Sequence, residues 1–442
     1  MIWQDERIPD EWSSGLIIPI FKKGDKTVCQ NYRGITLLNV AYKILSNILL
    51  SWLKVYSEQV LLEYQCGFRS GRSTVDQMFV LRQALDKCYE LGTDVHLLFI
   101  DYRQAFDRVN RNQLGRALQS FRIPQKLTNM IMMTLQETNS KILVGNRLSR
   151  SFKVENGVRQ GNAISAVLFN LALHKALATL IPRGTIASKS CQILGYADDL
   201  AIMCRSVNRL KEVFSELEKN SREAGLHINE EKTKYMLITA DDSKRTLRDL
   251  QIGAYNFEGV DRFTYLGAVI NHENKVSNEI MNRIMAGNRA YFSLVKMFKS
   301  SLLSRETKMT LYRTLVRPVV CYGAESWILK TADIEALRVF ERKIMRRIFG
   351  PVCESGVWRI RTNNELEHLM KGEDIVRFAK ARSISWLGHV NRMDESRMPR
   401  KLLNARFEGR RRRGRPRRSW IDDTTVDLSR MGINNWWTAS LD

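Results

Sequence analysis

Residues Ile193–Cys204 read ILGYADDLAIMC. Two apolar runs, Ile193–Leu194 and Leu200–Met203, flank the acidic pair Asp198–Asp199. Apolar runs broken by turn-forming residues predict a β-hairpin. Adjacent carboxylates repel each other, and a hard divalent cation such as Mg²⁺ relieves that repulsion because it prefers carboxylate oxygens. Asp is also an ordinary turn residue, so the pair alone leaves a metal site and a plain turn both open.

The composition narrows the partner. The chain has 442 residues, 44% of them hydrophobic and 26% charged, with a net charge of +23 and a pI near 9.8. This length has room for roughly two to three domains with proper cores. The charge predicts a polyanionic partner, nucleic acid first and a membrane surface second. No apolar run approaches the ~18 residues that span a bilayer, so no membrane partner is expected. The N-terminal MIWQDERIPDEW lacks the apolar core of a signal peptide. The seven cysteines are scattered, with no CxxC pair, which predicts neither a zinc knuckle nor a disulfide framework and suits a reducing intracellular compartment. Charge is uneven: Arg338–Arg418 holds 23 Lys and Arg against nine Asp and Glu.

Outward from the hairpin, Val95–Ile100 (VHLLFI) reads as a buried strand ending at Asp101. A carboxylate there is either a metal ligand or a helix N-cap; Phe106 and Asp107 follow. Trp12–Phe21 reads as a strand, with Pro19 marking an edge. The turn KKGDKT and the stretch NYRGITLLN then bring Lys22, Lys23 and Arg33 to one unit, as phosphate contacts or as a solvated turn. Val40–Tyr56 has a helical pattern. In QCGFRSGRSTVDQ, Arg69 and Arg72 precede a helix that Ser73 and Asp76 would cap, running to about Leu91, and form a candidate phosphate seat. GVRQGNAIS places Gln160 and Gly161 at a helix entry beginning near Ser165, where the backbone can approach a flat ligand. Val207–Ala224 is an amphipathic helix. The loop and strand GLHINEEKTKYMLI offers Lys232 and Lys234 as cations near the hairpin. Phe263–Ile270 reads as one strand, and Asn278–Phe349 as helical with a break at Pro318.

Arg410–Arg418 holds seven arginines in nine residues. Its RGRP centre suits an A·T-rich minor groove, with Arg411, Arg413 and Arg415 as contacts; a basic linker or a nuclear-import patch is the other reading. Trp436–Trp437 reads as the core of a small helical module.

In order, FIDYRQAFDRV, NGVRQG…LFNLAL, YADDLAI, GLHINEEKT and FTYLG resemble reverse-transcriptase motifs A to E. IIPIFKKGD…NYRGITLLN and QCGFRSGRST resemble the extra finger motifs of non-LTR (LINE-type) retrotransposon polymerases, of the jockey, R1 and I-like kind. The resemblance implies an α+β right-hand polymerase: fingers, antiparallel-sheet palm and helical thumb, with a basic, mainly helical C-terminal region. It implies fingers over 1–94, palm over 95–272 with the reverse transcriptase domain over about 12–270, thumb over 273–350 and a basic region over 351–442. The implied activity is RNA-directed DNA synthesis with two Mg²⁺ ions, Mn²⁺ being a possible substitute. Asp101 and Asp198 would hold the metals with Asp199 as the third acid. Lys232 would protonate pyrophosphate, and Arg33 with Lys22 or Lys23 would hold the triphosphate. Phe106 would be the steric gate against a 2′-hydroxyl. Gln160 and Gly161 would contact nucleotide or template, and Tyr265, Leu266 and Gly267 would form the primer grip. The implied partners are an RNA template, a DNA primer or target DNA, and dNTPs, in an intracellular ribonucleoprotein of nucleus and cytoplasm.

The sequence departs from that pattern at NAISAVLFN, where relatives read close to CPLSPLLFN: Asn162, Ala163 and Ala166 replace Cys, Pro and Pro. Met1 falls almost at the first finger motif, so the endonuclease that full elements carry is expected to be absent. A catalytically silent nucleic-acid-binding relic, and a group II intron maturase, are the competing readings.

Overall fold

The computed structural model describes residues 2–136, 138–180, 186–187, 191–407, 409 and 418–440. The chain divides into two compact units. The first comprises Met1–Ser73, His96–Tyr235 and Arg248–Gly259; the second comprises Thr74–Val95, Met236–Leu247 and Val260–Asp442.

The first unit carries strands β1 (Ser14–Phe21), β2 (Tyr32–Leu37), β3 (Val95–Ile100, from His96 on), β4 (Asn139–Val144), β5 (Arg147–Leu148), β6 (Phe152–Lys153), β7 (Cys191–Tyr196), β8 (Asp199–Cys204), the start of β9 (Lys234–Ile238, as far as Tyr235), β10 (Leu250–Ile252) and β11 (Tyr255–Gly259). One sheet has the order β2-β1-β4-β5, with β6 on β4; the other has the order β10-β11-β9-β3-β8-β7. β3 and β8, central in the sheet, are buried along most of their length, as their continuous apolar runs require, and β7 at the end of the order is buried too. The helix Ala163–Leu177, packed on the helices Val40–Val60, Arg111–Ser120 and Val207–Glu223, is buried at every residue except Ala163 and Lys175. A helix apolar on all sides belongs in a core.

Pro19 corrects the edge-strand reading. β1 lies between β2 and β4, but its parallel pairing with β4 stops at Ile17. Pro19 therefore has a partner only in β2, opposite Gly34, and its missing N–H costs no ladder bond on the open side.

In the second unit the expected single strand Phe263–Ile270 is a hairpin, β12 (Arg262–Tyr265) and β13 (Ala268–Asn271), closed by Tyr265↔Ala268. Leu266 and Gly267 both have positive φ, 48° and 82°, as a type I′ loop demands. The helices Val276–Ser293, Thr331–Phe349 and Ile375–Arg392 enclose a core that includes Ile280, Tyr312, Val316, Phe340 and Ile344. Pro318 sits in the first turn of the short helix Arg317–Val320, where its ring is tolerated. Phe79, Trp386, Trp420 and Leu428 form another cluster, with Trp436 partly buried against it; Trp437 is exposed and its short helix buries no residue, so the Trp436–Trp437 pair is not the core of a module. No helix among the described residues is long and apolar enough to cross a membrane.

Candidate active site

Strand register brings the acids together. β3 and β8 are antiparallel with Ile100 opposite Leu200. Asp101 leaves β3 at the end where Asp199 enters β8. β7 and β8 close at Tyr196↔Asp199, so the loop is Ala197–Asp198, and Asp199 already belongs to the returning strand. The tip therefore carries one acid, Asp198, with Asp199 one step behind it.

The backbone of Asp101 is held by the loop that precedes β9. Its N–H donates to the Thr233 hydroxyl at 3.2 Å, and its carbonyl accepts from Asn229 N–H at 2.8 Å. Among the described residues its Oδ2 has no hydrogen-bond partner, although it is buried. The nearest cation is Lys232, with Nζ 3.9 Å from that oxygen. Loss of hydration in the cleft raises the Asp198 carboxyl pKa, Asp101 raises it further, and Arg33 and Lys22 oppose both. Asp199 is pushed up to about 6, first by lost hydration and then by Asp198 and Asp101. The three acids therefore sense one another as like charges.

Lys22 and Arg33 come from the β1–β2 ribbon. Arg33 stands opposite Ile20, and Lys22 N–H bonds Asn31 O at 2.9 Å just past the pairing. Both side chains are exposed, and their charge acts on Asp198 and on Asp107. Lys23 shows no such influence on either acid.

Phe106 stacks on Phe169, ring centres 4.5 Å apart, and its carbonyl accepts Val158 N–H at 2.8 Å. Gln160 donates its amide to Asp107, and its carbonyl accepts Thr36 N–H at 2.8 Å. Gly161 has φ +113°, and a Cβ there would stand 2.5 Å from Thr36 O, so close approach to β2 requires glycine. The helix after this loop starts at Ala163 with Asn162 as an N-cap that makes no side-chain cap bond. Asn162 instead bonds Ser46 Oγ at 3.1 Å. The substituted loop still enters its helix.

Several candidates are engaged elsewhere. Arg69 is buried; its guanidinium bonds Glu58 at 3.1 and 2.9 Å, Leu62 O at 2.8 Å and Gln65 O at 3.1 Å. Arg72 pairs with Glu63 at 2.5 Å. These pairings speak against the phosphate-seat reading: the Arg69 guanidinium is committed to the protein itself, and Arg72 is held by Glu63. Lys234 pairs with Glu258 at 2.5 Å, leaving Lys232 as the cation beside Asp101. Arg411, Arg413 and Arg415 lie outside the described residues. In the second unit Tyr265 is buried, while Gly267 in the turn is exposed and Leu266 half-buried. The Tyr322 hydroxyl donates to Leu266 O at 2.8 Å, Arg283 bonds Gly267 O, and Val269 N–H bonds the buried Glu279 at 2.5 Å.

Among the described residues no three His, Cys, Asp or Glu side chains form a ready-made metal cage. Mg²⁺ seldom uses one; it takes one or two carboxylates and completes its shell with water and substrate phosphates. A buried unpartnered oxygen on Asp101, and repulsion among Asp101, Asp198 and Asp199, suit that kind of ion. The sequence reading passed over Gln65, which touches both polar backbone groups of Ala197. The one signal for it was a polar residue beside Cys66-Gly67 at the start of a motif.

The family model for reverse transcriptase (RNA-dependent DNA polymerase) matches residues 20–270, more than half of the chain. The chain is 26% identical over 330 residues to the retrovirus-related Pol polyprotein from type-1 retrotransposable element R2 of Popillia japonica, covering 72% of this chain and 45% of that one. It is 24% identical over 373 residues to the RNA-directed DNA polymerase from mobile element jockey of Drosophila melanogaster, covering 80% and 39%. It thus spans under half the length of these two relatives. Among solved structures, apo telomerase from Candida tropicalis aligns over 98% of this chain and 68% of that one, at 15% identity and a TM-score of 0.47. The motif order in the sequence and the match over residues 20–270 agree: the chain belongs to the reverse transcriptase family.

Proposed function

We propose that this chain copies an RNA template into DNA, adding dNTPs to a DNA 3′-hydroxyl, as part of a non-LTR retrotransposon polymerase. The observation that carries this reading is the convergence of Asp101, Asp198 and Asp199 at one end of β3 and β8, with Lys22 and Arg33 acting on Asp198.

Asp101 and Asp198 would hold two divalent ions, with Asp199 beside them. Bound there, such ions lower the pKa of the primer hydroxyl and neutralise charge on the leaving pyrophosphate. The protein's own part is positioning and charge compensation. Lys22 and Arg33 hold the triphosphate, and Lys232 supplies a proton to the departing pyrophosphate. Phe106, fixed by its stack on Phe169, stands against the sugar 2′-position. Gln160 and Gly161 contact nucleotide or template, and the Leu266–Gly267 turn with Tyr265 behind it steadies the primer. The basic C-terminal region adds phosphate contacts, and the whole works inside the cell as a ribonucleoprotein of nucleus and cytoplasm.

A second reading, binding without synthesis, draws on the Asn162–Ala163 substitutions. Purified protein with poly(rA)/oligo(dT), Mg²⁺ and dTTP separates the two. Incorporation that is lost in Asp198→Asn supports the polymerase. Binding that weakens steeply with salt, with no incorporation, supports the second reading.

A further inference from the structure

The hairpin that carries Asp198 is held by a side chain far away in sequence. Gln65 is fully buried. Its Oε1 accepts from Ala197 N–H at 2.7 Å and from Gly67 N–H at 2.9 Å, and its Nε2 donates to Ala197 O at 3.1 Å. One amide thus satisfies both polar backbone groups of Ala197. Two N–H donors converging on Oε1 also fix which way the amide faces.

Ala197 needs such a hold. Its φ is +56°, the left-handed region that a Cβ makes unfavourable, at the first position of a two-residue hairpin loop where glycine is the common occupant. Such a conformation persists only where the surroundings over-determine it. The Tyr64–Gly67 segment supplies those surroundings. Gly195 N–H bonds Tyr64 O at 2.8 Å, Cys66 N–H bonds Gly195 O at 2.9 Å, and Gln65 bridges Gly195 in parallel register. A Cβ on Gly67 would collide with the Ala197 nitrogen, so this contact also depends on glycine. Asn170 Nδ2 donates to Gly67 O at 2.7 Å and ties the segment to the core helix Ala163–Leu177.

We propose that Gln65 is a positioning residue: it holds Ala197 in the left-handed conformation and thereby sets where the Asp198 carboxylate stands. The proposal rests on the reading of Asp198 as a metal-holding acid. The amide is specific for the task. Glutamate keeps the acceptor but loses the donor to Ala197 O, and alanine loses both.

The test compares Gln65→Ala, Gln65→Glu and the double variant Gln65→Ala/Ala197→Gly with the wild-type chain. The first readout is hydrogen exchange of the peptide spanning Gly195–Leu200, which needs neither metal nor nucleotide. Exchange in Gln65→Ala should be at least about tenfold faster there, with the helix Thr331–Phe349 unchanged as a fold control. The second is Mn²⁺ binding to the protein alone by paramagnetic resonance, expected to weaken about tenfold. The third is dTTP incorporation, where kcat should fall at least about tenfold with KM for dTTP within about twofold. Glycine adopts a left-handed φ without the Cβ penalty, so the double variant should recover about fivefold of whatever Gln65→Ala lost in Mn²⁺ affinity or kcat. Wild-type exchange across Gly195–Leu200 in both Gln65 variants overturns the proposal whether or not the chain makes DNA. A deficit that Ala197→Gly does not relieve overturns it as well. Fast exchange in a chain whose wild-type form incorporates no dTTP keeps the clamp and removes the polymerase reading.

Discussion

The side-chain nitrogen of Gln160 lies 3.1 and 3.0 Å from the two carboxylate oxygens of Asp107. A carboxylate only accepts, so the Gln160 amide presents its nitrogen to Asp107 and its oxygen elsewhere. Asp107 itself is pulled two ways: lost hydration raises its pKa, while Gln160, Lys22 and Arg33 lower it. It links the Gln160 loop by hydrogen bond, and the β1–β2 ribbon by charge. Asp107→Ala frees that amide and removes a charge-assisted bond. The KM for dTTP is expected to rise about five- to tenfold, with kcat changed less than about threefold, in steady-state incorporation. An equal fall in kcat with KM unchanged would place Asp107 in the chemical step instead.

His174 is buried in the first unit against Tyr64, 3.3 Å from its hydroxyl, and burial brings its pKa down to about 4, helped by Arg69. The fold holds the neutral ring while the unfolded chain protonates it. Its contribution to stability is therefore complete above about 6.5 and is lost as pH falls toward 4. The opening equilibrium of amides across Ala163–Leu177, taken as the exchange rate divided by the intrinsic base-catalysed rate, should rise between pH 6.5 and 5. His174→Phe, which keeps the ring packing, should flatten that dependence.

Glu341 in the second unit behaves in the opposite sense. Burial raises its carboxyl to about 7, although the Tyr312 hydroxyl at 2.6 Å and Ile375 N–H at 2.8 Å oppose the change. The fold favours the protonated acid, so this contribution is complete below about 4.5 and is lost as pH rises through 7. The opening equilibrium of the helix Thr331–Phe349, taken as the exchange rate divided by the intrinsic base-catalysed rate, should rise from pH 5 to 7.5. Glu341→Gln, which needs no proton, should remove the trend.

Trp420 fills the C-terminal cluster. It is almost wholly buried, meets Phe79 edge-on at 4.8 Å, and donates its indole N–H to Glu325 O at 2.8 Å. Trp420→Ala should destabilise the second unit by about 3–5 kcal/mol. Chemical denaturation followed by far-UV circular dichroism measures this. A change under about 1 kcal/mol would mean the tail is not part of that core.

What was legible in the sequence followed the periods of its backbone. VHLLFI ending in Asp101 and the apolar arms around Asp198 are buried strands, and a buried strand leaves little freedom in how its residues are written. The long helices were legible for the same reason. Arg69 and Arg72 were misread because an arginine before a helix looks alike whether it faces phosphate or Glu58 and Glu63. Phe263–Ile270 was read through as one strand because its turn rests on one glycine and one leucine at positive φ. Gln65 was illegible because its meaning depends on Ala197, 132 residues away, and no local pattern links them.

The central claim is that Asp198 serves synthesis and not the fold. The most direct measurement is single-turnover addition of dTTP to oligo(dT) on poly(rA), comparing wild type with Asp198→Asn at matched primer–template occupancy and matched thermal stability. The account predicts that binding persists while the rate falls by at least about a thousandfold. Extension by Asp198→Asn at a rate within tenfold of wild type would contradict it.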